Sequence, residues 1–284
     1  MTAARVLVAG PVTRDRVVAA DGTAVEAPGG TAVHAGAVHA RMGTATRVLT
    51  RMAGRDRREL LAPLHDAGAR VRVEPSPATT RFIHTKGEAP RVPRRAAPLQ
   101  AGDLAEAREP AIHLGPLVRG DLDTATLRAA RARCSWLALD AQGLTRRVAA
   151  GRVRACGADP AWLEPVDVLK ATGEEARLLT GYRDPRHAAR HLQRACGGEA
   201  LVTLGGDGAV LALADGVRAI EAVAPPGPIA NPVGCGDAFL AAYLTRRLAG
   251  DGARRAATAA ARVAAVAATR PGALDIAPDG HAAA

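Results

Sequence analysis

Four consecutive residues, Gly234-Cys235-Gly236-Asp237, carry the clearest chemical potential in this chain. They run into a segment whose apolar positions Leu240, Leu244 and Leu248 have helical spacing and which stops at Gly250. Glycines at a helix start let backbone N–H groups approach an anion without a Cβ in the way, and the helix dipole adds partial positive charge there. A carboxylate is out of place in a pure anion site, because Asp237 would repel a bound phosphate. Accepting a proton from an attacking hydroxyl resolves the contradiction and makes Asp237 a candidate general base for phosphoryl transfer. Read alone, Asp237 serves equally well as a helix-capping charge. Cys235 sits where a helix start would lower the pKa of an exposed thiol. Its small size is reason enough for its presence, and the thiol is assigned no chemical step.

The elements that position these residues alternate along the chain. Short apolar runs at Arg5–Ala9, Ala111–Leu114, Trp136–Leu139, Val166–Leu169 and Leu201–Leu204 read as buried strands. Between them, Ala- and Arg-rich stretches such as Leu122–Arg133 and Pro185–Cys196 have helical spacing. The alternation predicts an α/β fold with a mostly parallel central sheet and helices on both faces. Two stretches, residues 13–28 and about 71–98, mix Val, Thr and Phe with turn residues and lack a helical period. They are expected as short strands outside the main sheet, forming a small β lid, although the Pro-rich tract 89–98 also reads as a surface linker. The whole of 1–284 is expected as one domain, and no internal repeat is visible. The chain has no Gly-x-x-x-x-Gly-Lys-Ser/Thr loop, and Gly10-Pro11 after the first strand is no dinucleotide-binding turn.

Composition excludes several classes. With 284 residues and 48% apolar content the chain can bury a sizeable core. No apolar stretch has membrane-spanning length and the N-terminus lacks a signal-peptide layout, so a cytoplasmic protein is expected. The cysteines Cys134, Cys156, Cys196 and Cys235 form no Cys-x-x-Cys pair, which argues against zinc and against a disulfide framework. The formal net charge is +10, and all basic residues but Lys86 and Lys170 are arginine. These arginines spread along the whole chain, which reads as codon bias and not as a designed patch. Aromatic residues make up 2%, and no nucleic-acid partner is expected.

The segment from Asn231-Pro232-Val233 through Gly234, Gly236 and Asp237 resembles the C-terminal signature of the ribokinase-like (PfkB) carbohydrate kinases. Four further segments resemble the same family in order. Val8-Ala9-Gly10 with Asp15 is similar to its opening strand and the acidic residue that holds substrate hydroxyls. Gly29-Gly30-Thr31-Ala32-Val33-His34 through Gly43 is similar to its Gly-Gly element and the helix that follows. Lys170-Ala171-Thr172-Gly173-Glu174-Glu175 is similar to its Asn-x-x-Glu element near magnesium and the phosphates. Leu201–Ala209 is similar to its nucleotide-side strand and turn.

The resemblance implies a ribokinase-like fold and an ATP- and Mg2+-dependent transfer of a phosphoryl group to a hydroxyl of a small polyol, meaning a sugar, sugar phosphate or cyclitol. Asp237 would be the base, with the backbone of Gly234, Cys235 and Gly236 around the transferring group. Asp15, Gly29, Gly30 and His34 would hold the acceptor. Lys170, Thr172, Thr203, Gly205 and Gly208 would serve the nucleotide, and Glu175 the metal. Arg81, Phe82 and His84 are expected lid contributors. The chain departs from the family pattern at Thr31 (usually lysine), His34 (usually asparagine) and Thr172 (usually asparagine), and Asn231-Pro232 replaces the Asp-Thr associated with a monovalent cation. A nucleoside acceptor, or a kinase-like regulatory protein without turnover, stays open as an alternative. Lid strands with free edges would also allow a homodimer.

Overall fold

The computed structural model describes residues 4–19, 21–158, 160–230 and 233–270. Asn231-Pro232 of the signature, and with it the expectation about a monovalent cation, lies outside the described residues.

The main sheet starts from Arg5–Ala9 (β1), whose last four residues are buried. The chain then enters the lid with Thr13–Val18 (β2) and Ala24–Gly29 (β3). It returns through the helix Thr31–Arg41 (α1) to Ala45–Met52 (β4), the short helices Arg57–Leu60 (α2) and Ala62–Asp66 (α3), and Arg70–Pro75 (β5). Thr80–Thr85 (β6) and Arg91–Arg94 (β7) are again lid strands. Ala111–Leu114 (β8), Thr124–Arg131 (α4) and Trp136–Asp140 (β9) follow, then the short helix Gln142–Thr145 (α5) and a hairpin of Arg146–Ala149 (β10) and Arg152–Ala155 (β11). The remainder is Val168–Thr172 (β12), Gly173–Thr180 (α6), Pro185–Cys196 (α7), Glu199–Thr203 (β13), Ala209–Leu213 (β14), Gly216–Ile220 (β15), Cys235–Leu248 (α8) and Ala253–Ala268 (α9).

The nine-stranded sheet has the order β15-β14-β13-β12-β9-β8-β1-β4-β5. It is parallel except for the antiparallel pairs at β13, β14 and β15. One face packs Val6, Val8 and Val48 against α1, α8 and α9. The other packs Leu7, Ala9, Ile112 and Leu139 beneath α4, α6 and α7. The strand order reverses at β1, and ligand crevices in such sheets lie beyond the C-terminal strand ends at that point. This is the expected ribokinase-like architecture, with helices on both faces.

The lid is a separate six-stranded sheet, β10-β11-β7-β6-β2-β3. Its extent corrects the expectation twice. The segment 71–98 does not lie wholly outside the main sheet, because β5 pairs in parallel with β4 from Arg47↔Arg70 to Met52↔Pro75. As a half-buried edge strand, β5 alternates Arg with Val and has no continuous apolar run. The hairpin β10–β11 was not anticipated. Its Val148 and Val153 pack under Phe82, Val92, Leu117 and Val118, a small core of the lid's own, and Ala150 and Gly151 make its turn with positive φ. The Pro-rich tract 89–98 contributes β7 and so belongs to the lid.

Side chains alternate across a strand, and in the lid this sorts the arginines. Asp15, Phe82, Val92, Val148 and Val153 point inward. Their neighbours Arg14 and Arg16 on β2, Arg81 on β6, Arg91 and Arg94 on β7, Arg152 and Arg154 on β11 and Arg147 on β10 share the outer face by register. Arginines that look scattered in sequence are thus gathered on one surface. Among the described residues no helix is long and apolar enough to cross a membrane.

Candidate active site

Gly234 adopts φ 87° and starts α8 with no side-chain cap, which leaves the N-terminal amides facing the crevice. The positive φ suits glycine, and a Cβ here would stand 2.7 Å from the ring of His34. Asp237, in the first turn of α8, accepts a hydrogen bond of 2.7 Å from the Thr31 hydroxyl. Enclosure of its carboxyl raises the pKa above the ordinary carboxylate value, and repulsion from Asp140 adds to the rise. His34, the Thr31 hydrogen bond and Lys170 oppose it. The result is a carboxylate of increased basicity next to an uncapped helix start.

Lys170, near the end of β12, and Asp140, at the end of β9, are both buried and joined at 2.9 Å. Burial pulls the Lys170 pKa down, but Asp140, then Glu175 and Asp237, outweigh it, so the ammonium stays charged. A Cβ on Gly236 would meet Lys170 Nζ at 2.5 Å, which places the ammonium directly beneath the α8 turn. A larger residue at that position would have to displace the Lys170 ammonium from its place beside Asp140. Asp140 was absent from the residues singled out by sequence. Its only signal was a carboxylate closing an apolar strand, Trp136-Leu-Ala-Leu-Asp140, where the site was expected.

Towards the lid, α1 holds His34 4% exposed, with neither ring nitrogen hydrogen-bonded among the described residues. Buried polar atoms without partners are rare and call for a ligand or water. Asp15 accepts from the Thr13 hydroxyl at 2.6 Å, and His84 Nε2 stands 3.7 Å from its other oxygen. Gly29 and Gly30 are forced by space, since a Cβ on Gly29 would lie 2.2 Å from Asp15 and one on Gly30 2.4 Å from the Pro11 carbonyl. Phe82 is buried and stacked on His84 with ring centroids 5.7 Å apart, while Arg81 points outward and pairs with Glu26.

At the opposite end, Thr172 and Glu175 form a reciprocal capping box at the start of α6. Glu175 Oε1 also accepts from Arg146 at 3.0 Å, so both of its oxygens are engaged. No group of three His, Cys, Asp or Glu among the described residues could cage a metal. With both oxygens engaged, Glu175 would be the residue to hold a magnesium ion here, and such an ion would supply charge neutralisation for phosphates. Thr203 lies at 3.4 Å from the Ala171 carbonyl. Gly205 and Gly208, both with positive φ, shape the turn between β13 and β14. Cys235 is half-buried, and burial, followed by the Asp237 charge, pushes its pKa up, so the condition for a lowered thiol pKa is not met.

Residues 113–279 match the model of the pfkB family carbohydrate kinases. The chain belongs to that family. That family is one of carbohydrate kinases. This PfkB protein is 38% identical over 90 residues to a 1-phosphofructokinase of Rhodobacter capsulatus, a match that spans 32% of the chain and 28% of that relative's length. It is similar over 94% of its length, at 25% identity and a TM-score of 0.88, to a pyrophosphate-dependent kinase of the ribokinase family complexed with a pyrophosphate analog and myo-inositol, and covers 96% of it. Arabidopsis thaliana ribokinase complexed with ribose and ATP shares the fold at a TM-score of 0.74 and 17% identity, with 96% of this PfkB chain and 95% of the ribokinase covered.

Proposed function

We propose that this PfkB protein transfers a phosphoryl group from ATP to a hydroxyl of a small polyol, with Asp237 as the general base. The observation that carries the reading is the Asp237 carboxyl, raised in pKa at the uncapped start of α8 and facing His34 with its two unpartnered nitrogens. The acceptor hydroxyl lies between them. Asp237 takes its proton as the oxygen attacks, and His34 and Asp15 orient neighbouring hydroxyls. The amides of Cys235, Gly236 and Asp237 and the Lys170 ammonium neutralise charge on the transferring group. Magnesium, when it accompanies the donor, supplies further neutralisation beside Glu175. The lid's inner face keeps water out.

A cyclitol or sugar suits the acceptor pocket better than a nucleoside. Phe82, the aromatic ring of the lid, is already stacked on His84, so no free ring faces a base. The raised pKa of Asp237 and the charged Lys170 beside it support turnover over a binding protein without activity. All four cysteines are unpaired, which supports a cytoplasmic setting.

Pyrophosphate as the donor is a second reading. It is favoured by the similarity to the pyrophosphate-dependent kinase and by the residues between β13 and α8, which contain no aromatic ring and leave most of 221–230 exposed. A nucleotide base usually needs an apolar or aromatic wall. The test is product formation from myo-inositol, fructose, their phosphates and adenosine, with magnesium and either ATP or pyrophosphate. Transfer to a polyol that is lost in Asp237→Asn by roughly 100-fold or more supports the mechanism. Full activity in that variant refutes the base, and preference between donors decides the second reading.

A further inference from the structure

The outer face of the lid bears a hollow of about 600 Å³, walled by Arg16 of β2, Arg81 of β6 and Arg91 and Arg94 of β7 over an apolar floor that includes Val18 and Ile83. A smaller hollow of about 110 Å³ shares Arg81 and Arg94 and adds Arg55. Among the described residues two carboxylates reach this group: Glu26 binds Arg81 and stands 3.9 Å from Arg16, and Asp56, on the wall of the smaller hollow, is held by Arg14 at 3.4 Å. Arg91, Arg94 and Arg55 make no ion pair or hydrogen bond among the described residues. Guanidinium groups crowded around a concavity repel one another unless an anion lies between them, and their planar forks suit phosphate oxygens.

We propose that this hollow binds a small polyphosphate-class anion, at a site on the opposite face of the lid from Asp15 and His84. Three features select that occupant. The hollow has the volume of a small-molecule site. A second copy of the chain would bring the same positive face toward it and be repelled. The stacking rings that single-stranded nucleic acid needs are missing here, because Phe82 points inward. The site is one residue removed from the acceptor pocket along β2, where Arg14 and Arg16 flank Asp15, and along β6, where Arg81 and Ile83 flank Phe82.

The test is calorimetric titration of the intact protein with inorganic tripolyphosphate at low ionic strength. Wild type is compared with R91S/R94S and with R254S/R262S, a control on α9 that lowers the net charge of +10 by the same two units. The expected result is saturable binding that weakens at least about tenfold in R91S/R94S and less than about twofold in the control. All four positions are exposed, so both variants are expected to fold, and their melting temperatures check this. Equal weakening in both variants, no weakening in R91S/R94S, or no saturable binding to wild type overturns the proposal. So does tighter binding of duplex DNA than of tripolyphosphate through the same arginines, or a dimer that R91S/R94S dissociates.

Discussion

Replacing Thr31 by Val removes the hydroxyl that donates to Asp237 at 2.7 Å while keeping the methyl that fills the space beside Gly115. A hydrogen bond to a charged acceptor is worth about 1.5–3 kcal/mol, and one pKa unit corresponds to about 1.4 kcal/mol. Asp237 is partly exposed as a residue, so water recovers part of the loss, and a net rise of its pKa is expected. The sign is fixed by what the bond stabilises. Thr31 favours the ionised carboxylate, as do His34 and Lys170, whereas burial and Asp140 favour the protonated form. Losing Thr31 therefore extends the protonated, inactive form to higher pH. The acid limb of kcat/KM against pH should move to higher pH, so that activity falls about tenfold on that limb, from the low end of that hydrogen-bond energy, and is nearly unchanged above it. Steady-state kinetics across the acid limb measure this. An unchanged limb, or one that moves down, would refute the assignment of Asp237 as a base tuned by Thr31.

Gly234→Ala puts a Cβ 2.7 Å from the His34 ring at φ 87°. The left-handed strain of roughly 1–2 kcal/mol and the displaced ring should raise the acceptor KM about tenfold or more, and an unchanged KM would remove His34 from the acceptor site. Asp140→Asn leaves the buried Lys170 without its partner and should cost about 3–5 kcal/mol in denaturant unfolding. A loss below about 1 kcal/mol would mean that the pair is solvated. His113, buried on β8 beside His39, has its pKa pushed down to about 3 by burial and then by Lys170. Its folded value lies below the ordinary 6.5, so its contribution to stability is complete above that pH and is lost as pH falls, by at most about 1.4 kcal/mol per unit. His113→Gln should flatten that slope, and an identical slope in variant and wild type would show that His113 does not set it.

Much of the sheet was legible because buried parallel strands are short apolar runs. Arg5–Ala9 and Ala111–Leu114 match β1 and β8 residue for residue, and Pro185–Cys196 matches α7. The strand expected at Val166–Leu169 begins two residues later, because Val166 is buried from the turn ahead of β12. Strands that do not bury both faces were harder to read. In β5 and β11 arginine alternates with valine or alanine, and β10 opens on two arginines, so these short polar stretches carry no apolar run. Only pairing partners distant in sequence, β4 for β5 and β7 for β11, make them strands. The same alternation hid the lid's arginine face, since period-two placement matters only once a sheet exists. Within the site, glycines and Asp237 were legible as a local motif. Asp140 was not, because its meaning depends on Lys170, thirty residues later on an adjacent strand.

The unusual Thr31 now has a physical context. Thr31 is fully buried, and its side chain occupies the space that a Cβ on Gly115 would need, at 1.9 Å. A lysine there would have to thread past Gly115 toward Asp237, where its charge would lower the carboxylate's pKa and weaken it as a base. This chain offers a neutral hydroxyl at that point and keeps its buried cation on the other side of the α8 turn, where Lys170 is held by Asp140 under Gly236. Under the proposed mechanism the division separates two demands: the base is hydrogen-bonded by an uncharged donor, and the fixed positive charge for the phosphoryl group comes from Lys170, whose lowering of the Asp237 pKa is outweighed by burial and Asp140. Asp140 serves both ends of this arrangement, since it anchors the cation and by its own charge raises the pKa of Asp237.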